Sequence, residues 1–332
     1  MSDYREIKRA AVTGASGYIG SHLTEELVGR GIEVVALVHS NSNNHIGNLR
    51  ELPKETLERV TIRFSDILAP SDLKAAFHSV DTVFHLAAQI SVPYSNRAPM
   101  LFVQTNVVGT YNVLDTAKTL GIPRVVVVSS SEVYGGTSKE AFRETTPLCA
   151  RSPYAASKIA AEKMAEAFYH CYRLGTVMIR PFNTFGPRQS LRAVIPWIVK
   201  QALEKDEIIL GNLKPERDFV YVTDTVSGMI AAASAKDVEG RTYNLSTGAA
   251  VSVGEIVRIV GKKLGKELRV KHVDEQTRDP NSEVWTLVGD STAAREQLGW
   301  KPVVKFEEGL DYVIESIKKH LVTGIDPSIR YE

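Results

Sequence analysis

A tyrosine and a lysine stand four residues apart in Tyr154-Ala-Ala-Ser-Lys158. On a helix this spacing puts both side chains on one face. A free tyrosine titrates near 10 and is a poor base at neutral pH, but a neighbouring ammonium favours its phenolate. Lys158 could also reach a cofactor ribose hydroxyl. Such a pair alone is usually a surface contact. Ser129-Ser130-Ser131-Glu132 changes that reading, because it follows the predicted strand Arg124–Val128. The C-terminal end of a strand in an open parallel sheet borders the ligand crevice.

A second constellation opens the chain. Val12-Thr13-Gly14-Ala15-Ser16-Gly17-Tyr18-Ile19-Gly20 follows the first predicted strand and starts the first helix. Gly14 permits a tight turn, Gly17 lets the backbone approach a pyrophosphate, and Gly20 lets helix and strand pack closely. The helix start presents N–H groups and partial positive charge to phosphates. A ligand-free glycine turn is the bland alternative, but the strand–turn–helix context favours a dinucleotide at Gly14, Ser16, Gly17, Tyr18, Ile19 and Gly20. A carboxylate about 20 residues further on would hold the ribose of NAD. Here the second strand ends Val38-His39-Ser40-Asn41, without an acid. His39 and Ser40 could serve a 2′-phosphate or be loop polar residues, so NADP stands open beside NAD. Asp66, after the third strand, is placed to meet the adenine edge or to cap the strand end.

These groups need a scaffold, and the chain predicts one. Ala10–Thr13, Glu33–Val38, Val60–Phe64, Thr82–Leu86, Arg124–Val128 and Val177–Ile179 read as buried strands. Tyr18–Val28, Ser71–Phe77, Met100–Leu120 and Tyr154–Tyr172 carry apolar residues at helical spacing. This alternation predicts an α/β fold, a Rossmann-type doubly wound parallel sheet. After about Gly186 the pattern changes to helices Val194–Leu203, Thr223–Ala235, Ser252–Leu264, Ser291–Leu298 and Phe306–His320. Strands Arg217–Val222 and Arg241–Leu245 lie among them, and Val270–Asp290 reads as a charged loop. The expected division is a dinucleotide-binding domain over 1–187, with 220–250 returning to it, and a smaller C-terminal α/β substrate domain over 188–332.

Composition narrows the function. The 332 residues carry 40 Lys+Arg against 39 Asp+Glu, a net charge of +1, with 43% hydrophobic residues. That length suits about two domains, and near-neutral charge argues against general nucleic-acid or membrane-surface binding. Cys149 and Cys171 are the only cysteines, too few for a disulfide framework or a cysteine-based zinc site. His39, His85 and His170 stand apart without metal-ligand spacing, and His85 in a buried strand reads as a satisfied core residue. The first residues leave no room for a signal core, and no apolar run approaches the ~20 residues that span a bilayer. A cytoplasmic protein without metal is the expectation.

Together, Thr13–Gly20, Leu86-Ala87-Ala88, Asn106 with Gly109-Thr110, Ser129–Gly135, Tyr154–Lys158 and Arg180-Pro181-Phe182-Asn183 resemble the extended short-chain dehydrogenase/reductase superfamily over essentially the whole chain. Within it the chain resembles the nucleotide-sugar 4-epimerase and 4,6-dehydratase branch. Arg180–Ser190, Arg192–Pro196, Arg217–Asp224, Asn41–Asn44 and Ser282–Val284 look closest to UDP-N-acetylglucosamine 4,6-dehydratases of the legionaminic-acid type. The resemblance implies a nicotinamide cofactor regenerated each turnover, which favours NAD, held also by Ile67, Leu86, Ala87, Ala88 and Asn106.

It also implies roles. Tyr154 takes the C4 hydroxyl proton of the sugar, with Lys158 holding the phenolate and Ser130 bonding the same oxygen. Glu132 removes the C5 proton so that the C6 hydroxyl leaves as water; capping the next turn is its bland alternative. Where related TDP-glucose dehydratases carry an acidic Asp, this chain has Ser131, which leaves the acid unassigned and keeps a UDP-sugar 4-epimerase or UDP-glucuronate decarboxylase in view. Arg217 and Arg278 match positions that grip the substrate diphosphate, with Arg188, Arg192 and Asn183 beside them. A homodimer joined through Met100–Leu120 and Tyr154–Tyr172 is the expected assembly.

Overall fold

The computed structural model describes residues 5–40, 44–136, 140–273 and 284–323. Its strands follow in chain order. The first six are β1 (Arg9–Thr13), β2 (Glu33–Val38), β3 (Val60–Phe64), β4 (Thr82–His85), β5 (Arg124–Val128) and β6 (Thr176–Pro181). Then come β7 (Asn183–Phe185), β8 (Glu207–Leu210), β9 (Glu216–Tyr221), β10 (Thr242–Leu245), β11 (Ala250–Ser252), β12 (Arg269–His272) and β13 (Thr286–Leu287).

The β-branched runs predicted to be buried do pair side by side. Seven strands form one sheet in the order β10-β6-β5-β4-β1-β2-β3, and every pairing in it is parallel. Helices cover both faces. Along β5, Val125 and Val127 enter one apolar cluster with Leu114 and Phe168, whereas Val126 and Val128 enter another with Leu23 and Met229. The strand order reverses between β1 and β4, which opens a crevice at their C-terminal ends.

The later segments form smaller sheets. β9 pairs with β11 antiparallel and with β13 and β7 in parallel, while β8 pairs with β12. Phe185, Ile195, Phe219, Ile256 and Leu310 close a further apolar core there. Asp218 is fully buried and accepts from Thr247 N and Oγ1, Gly248 N and Gly289 N, at 2.6 to 3.2 Å. That carboxylate ties the loop after β10 and the loop after β13 to β9.

Two expectations change. The stretch Val270–Asp290 contributes β12 and β13 as well as loop. The helix expected over Met100–Leu120 is composite: an α-turn Pro99–Phe102, a π-helix Val103–Val108, then an α-helix Gly109–Thr119. Within the wider turn Asn106 is buried and anchored by its amide. Among the described residues no helix is long and apolar enough to cross a membrane.

Candidate active site

The glycine turn is pressed against the loop after β4. Gly14 has φ +71°, and a Cβ there would lie 2.8 Å from Ala87 N. A Cβ on Gly20 would collide with the Gly14 carbonyl. The helix Tyr18–Gly29 begins at Gly17 with no side-chain cap and no acid in its first turn. Its first N–H groups are therefore offered to an anion. The Tyr18 phenol is buried and its ring packs on His22, and Ile19 packs on the core, so only their backbone faces the turn's mouth as candidate contacts.

Ser16, Gly17, His39 and Arg188 line one cavity of about 480 Å³ beside this turn. Arg188 corrects an expectation, since it is absent from the cavity lined by Asn183 and Arg192. It pairs with Glu25 at 2.6 Å, and its Nη1 is buried without a hydrogen-bond partner among the described residues. A glycine cradle, an uncapped helix start and an unpartnered guanidinium N–H together fit a dinucleotide pyrophosphate.

Leu86, Ala87 and Ala88 form a half-buried loop, with Ala87 N donating to Thr13 Oγ1 at 3.1 Å. Asp66 Oδ1 accepts from Leu68 N at 2.9 Å, so the capping role is realised on that oxygen. Ile67 is buried in the core, with its carbonyl accepting from Asn112. Asn106 also departs from the direct cofactor contact expected of it. Its Oδ1 accepts from Gln89 N at 2.7 Å, while Nδ2 donates to Gln89 O at 3.0 Å and to Ser157 Oγ at 2.9 Å. Both ends of the amide are committed to shaping the loop.

That amide ends a chain of hydrogen bonds the sequence reading missed. His85 sits between Thr13 Oγ1, 2.8 Å from Nδ1, and Thr110 Oγ1, 2.9 Å from Nε2. Thr110 donates onward to Asn106 O at 2.6 Å, so His85 Nε2 carries the hydrogen and Nδ1 accepts from Thr13. Ser157 in turn donates to Tyr154 O at 2.7 Å. The Asn106–Thr110 spacing of four residues was the available signal. Burial, aided by the Lys158 charge, holds His85 down at about 3, so the imidazole is neutral.

The catalytic candidates meet at the end of β5. Ser152 caps the helix Pro153–Tyr172 by accepting from Ala155 N, which puts Tyr154 in its first turn. Tyr154 is buried against Phe102, edge to face. Burial pushes its phenol up to about 12; a hydrogen bond with Ser130 opposes this, and the nearby Glu132 charge adds to it. Ser130 Oγ also accepts from Glu132 N at 3.2 Å. Ser130 is therefore the cap of the turn Ser131–Tyr134, which contains Glu132. Ser131 is buried between them.

Lys158 corrects a further expectation. Its Nζ donates to Val128 O at 2.7 Å rather than to the phenol, and burial brings its ammonium down to about 8 against the Glu162 charge. The phenol's acidity in this arrangement is therefore set by burial, Ser130 and the Glu132 charge.

A second cavity of about 700 Å³ is lined by Asn183, Arg192, Trp197, Asn212 and Phe219 among others. Arg217 does not line it. That side chain is buried on β9 and donates to Glu216 O at 3.0 Å. Arg278 lies outside the described residues, as do Asn41 to Asn43 and Ser282.

The family model described as GDP-mannose 4,6 dehydratase matches residues 11–313. A UDP-glucuronate 4-epimerase of Thermodesulfobacterium geofontis is 31% identical over 324 residues, covering 93% of this chain and 96% of that protein. UDP-glucuronic acid decarboxylase 1 of Xenopus tropicalis is 30% identical, covering 96% of this chain and 74% of that protein. The crystal structure of the UDP-glucuronic acid 4-epimerase from Bacillus cereus, in complex with UDP-glucuronic acid and NAD, superposes with a TM-score of 0.85 at 27% identity. That likeness spans 94% of this chain and 99% of the other.

Proposed function

Because the chain belongs to the GDP-mannose 4,6 dehydratase family of nucleotide-sugar enzymes, we propose that it is an NAD-dependent 4,6-dehydratase acting on UDP-N-acetylglucosamine. The observation that carries the reading is the placement of Glu132, two residues past Ser130 and close enough to charge the surroundings of Tyr154. A 4-keto sugar has an acidic C5 proton, and a carboxylate beside the C4 base is the group that removes it. A plain 4-epimerase needs no such base.

The glycine turn Gly14–Gly20, His39 and Arg188 would hold the cofactor. When bound, NAD supplies a hydride acceptor for C4, a donor that returns it to C6, and in its oxidised form a positive charge beside the phenol. Tyr154 takes the C4 hydroxyl proton, and Ser130 hydrogen-bonds the same oxygen as charge moves. Lys158 keeps the helix start seated on β5 through Val128. Glu132 takes the C5 proton and passes it to the C6 hydroxyl, which leaves as water, and C5 regains the proton held by Tyr154 as the hydride returns to C6. Asn183 and Arg192 orient the nucleotide sugar in the larger cavity.

A second reading, a UDP-glucuronate 4-epimerase or decarboxylase, is favoured by the names of the relatives and by Ser131, which is a poor proton donor for a leaving hydroxyl. Incubation with UDP-N-acetylglucosamine, UDP-glucose and UDP-glucuronate, read by mass, separates them. Loss of water supports dehydration, unchanged mass with a new sugar supports epimerisation, and loss of carbon dioxide supports decarboxylation. Glu132→Gln should abolish water loss while leaving C4 oxidation; intact dehydration in that variant removes Glu132 as the base.

A homodimer in the cytoplasm belongs to the same reading. Met100, Tyr111 and Tyr172, on the paired helices, stand 64%, 44% and 55% exposed. Light scattering tests it, with a monomeric mass against it.

A further inference from the structure

Three buried charges meet where the helix Pro153–Tyr172 crosses β5 and β6. Lys158 and Glu162 stand four residues apart on the helix, and Arg180 belongs to β6. They are only 7%, 3% and 5% exposed, so solvent screens their mutual field weakly. Arg180 Nε and Nη2 donate to the two carboxylate oxygens of Glu162 at 2.9 and 2.7 Å. Lys158 Nζ donates to Val128 O at 2.7 Å, and Val128 pairs with Ile179, the residue before Arg180. Helical neighbours four apart have Cβ atoms about 5–6 Å from each other. An opposite charge at that range keeps an ammonium protonated to a pH higher by about one to three units. The Glu162 charge does oppose the effect of burial on Lys158.

The other titratable groups around the amine do not supply that charge. His85 on β4 is neutral, and its own depression registers the Lys158 ammonium. Tyr154, on the same helix, is a protonated phenol, and the Glu132 charge after β5 acts on it. Tyr134 accepts from Arg180 Nη1 at 2.9 Å and is held protonated by burial. Arg180 has the same sign as Lys158, so it helps only by fixing Glu162.

We propose that Glu162 is a positioning residue for C4 oxidation. It is the counter-charge that keeps Lys158 an ammonium, and so keeps the charge-assisted bond to Val128 O that seats Tyr154 against Ser130. Arg180 holds the carboxylate in place. The proposal rests on the redox reading above and gives the buried pair a part in it.

The test uses Glu162→Gln and, beside it, the double variant Glu162→Gln/Arg180→Met. The double variant leaves no guanidinium buried alone, so it keeps the fold where the single variant does not. Denaturant melts across pH read the Lys158 charge without substrate. In the parent, stability begins to rise near pH 8, where this amine titrates in the folded chain. In both variants the rise should begin about one pH unit lower. The alkaline limb of kcat should move the same way, with kcat about fivefold below the parent at pH 8 and within about twofold at pH 6. KM for the nucleotide sugar should stay within about twofold. A purely structural pair would lower kcat by one factor at every pH. An unmoved onset of the stability rise in the variants overturns the proposal. A moved onset with a kcat ratio constant across pH overturns the positioning role. A parent that turns over no nucleotide sugar overturns the redox reading, while a moved onset in the same protein upholds Glu162 as the counter-charge.

Discussion

The Lys158 ammonium lies 2.7 Å from the carbonyl oxygen of Val128, two residues before Ser130. This bond pins the start of the Tyr154 helix to the end of the strand that carries Ser130. It also holds a charge where burial disfavours one. The lysine is therefore kept for position and field at the expense of stability.

That tension is measurable. The folded state holds this amine near 8 and the unfolded chain near 10.5, so folding releases a proton between those values and stability rises with pH across that window. Below it the full cost of the buried charge is present. Lys158→Met should therefore raise stability by about 1–2 kcal/mol near neutral pH, with the gain shrinking above about pH 8. Turnover should fall by about 100-fold or more. Denaturant melts at several pH values check this; a less stable variant with no pH dependence would contradict it.

The glycine turn gives a cofactor prediction. At Gly14 the left-handed φ of +71° strains any side chain, and a Cβ would sit 2.8 Å from Ala87 N. Gly14→Ala should cost about 1–3 kcal/mol of stability and weaken NAD by at least about tenfold. Calorimetric titration reads the second effect, and unchanged NAD affinity would refute the placement of the turn.

His85 links the cofactor turn to the catalytic helix through Thr13, Thr110 and Asn106. Its imidazole is held near 3 when folded and near 6.5 when unfolded, so the unfolded state takes up the proton first as pH falls. Stability should drop from about pH 6.5 downward. His85→Gln should lose about 1–3 kcal/mol at neutral pH and show a shallower acid decline. An acid slope identical to that of the parent would rule His85 out as its source.

The buried Arg180–Glu162 pair holds the same helix to β6, with Nε and Nη2 at 2.9 and 2.7 Å from the carboxylate. Glu162→Gln leaves the guanidinium without its counter-charge and should cost about 3–5 kcal/mol. Thermal melts test this, and a near-neutral effect would show that Tyr134, which also accepts from Arg180, suffices.

Much of this was legible in the residues. The β-branched runs gave three strands, Glu33–Val38, Val60–Phe64 and Arg124–Val128, with their observed limits; the first and third are buried and leave a continuous apolar signature, whereas Val60–Phe64, expected to be buried, is an edge strand with no buried residue. β7, β8 and β11 escaped because three or four residues carry no period. The Tyr154 and Ser130 juxtaposition was readable from the strand-end rule, but the partner of Lys158 was not, since it is a backbone carbonyl 30 positions earlier. Arg188 was misplaced for a similar reason. Arginine type and motif position indicate anion binding, whereas only the fold shows that Glu25 draws it to the glycine-turn cavity. The bonds from Asn106 to Gln89 and from Arg217 Nη1 to Glu216 O were not readable either, because their partners are backbone groups invisible to motif reading.

The most direct test of the central claim is Tyr154→Phe mixed with NAD and nucleotide sugar, followed by absorbance of the reduced nicotinamide in a single turnover. The account predicts a loss of about 1,000-fold or more in the rate of cofactor reduction, with NAD affinity held within about twofold. Reduction at the parent's rate would contradict it.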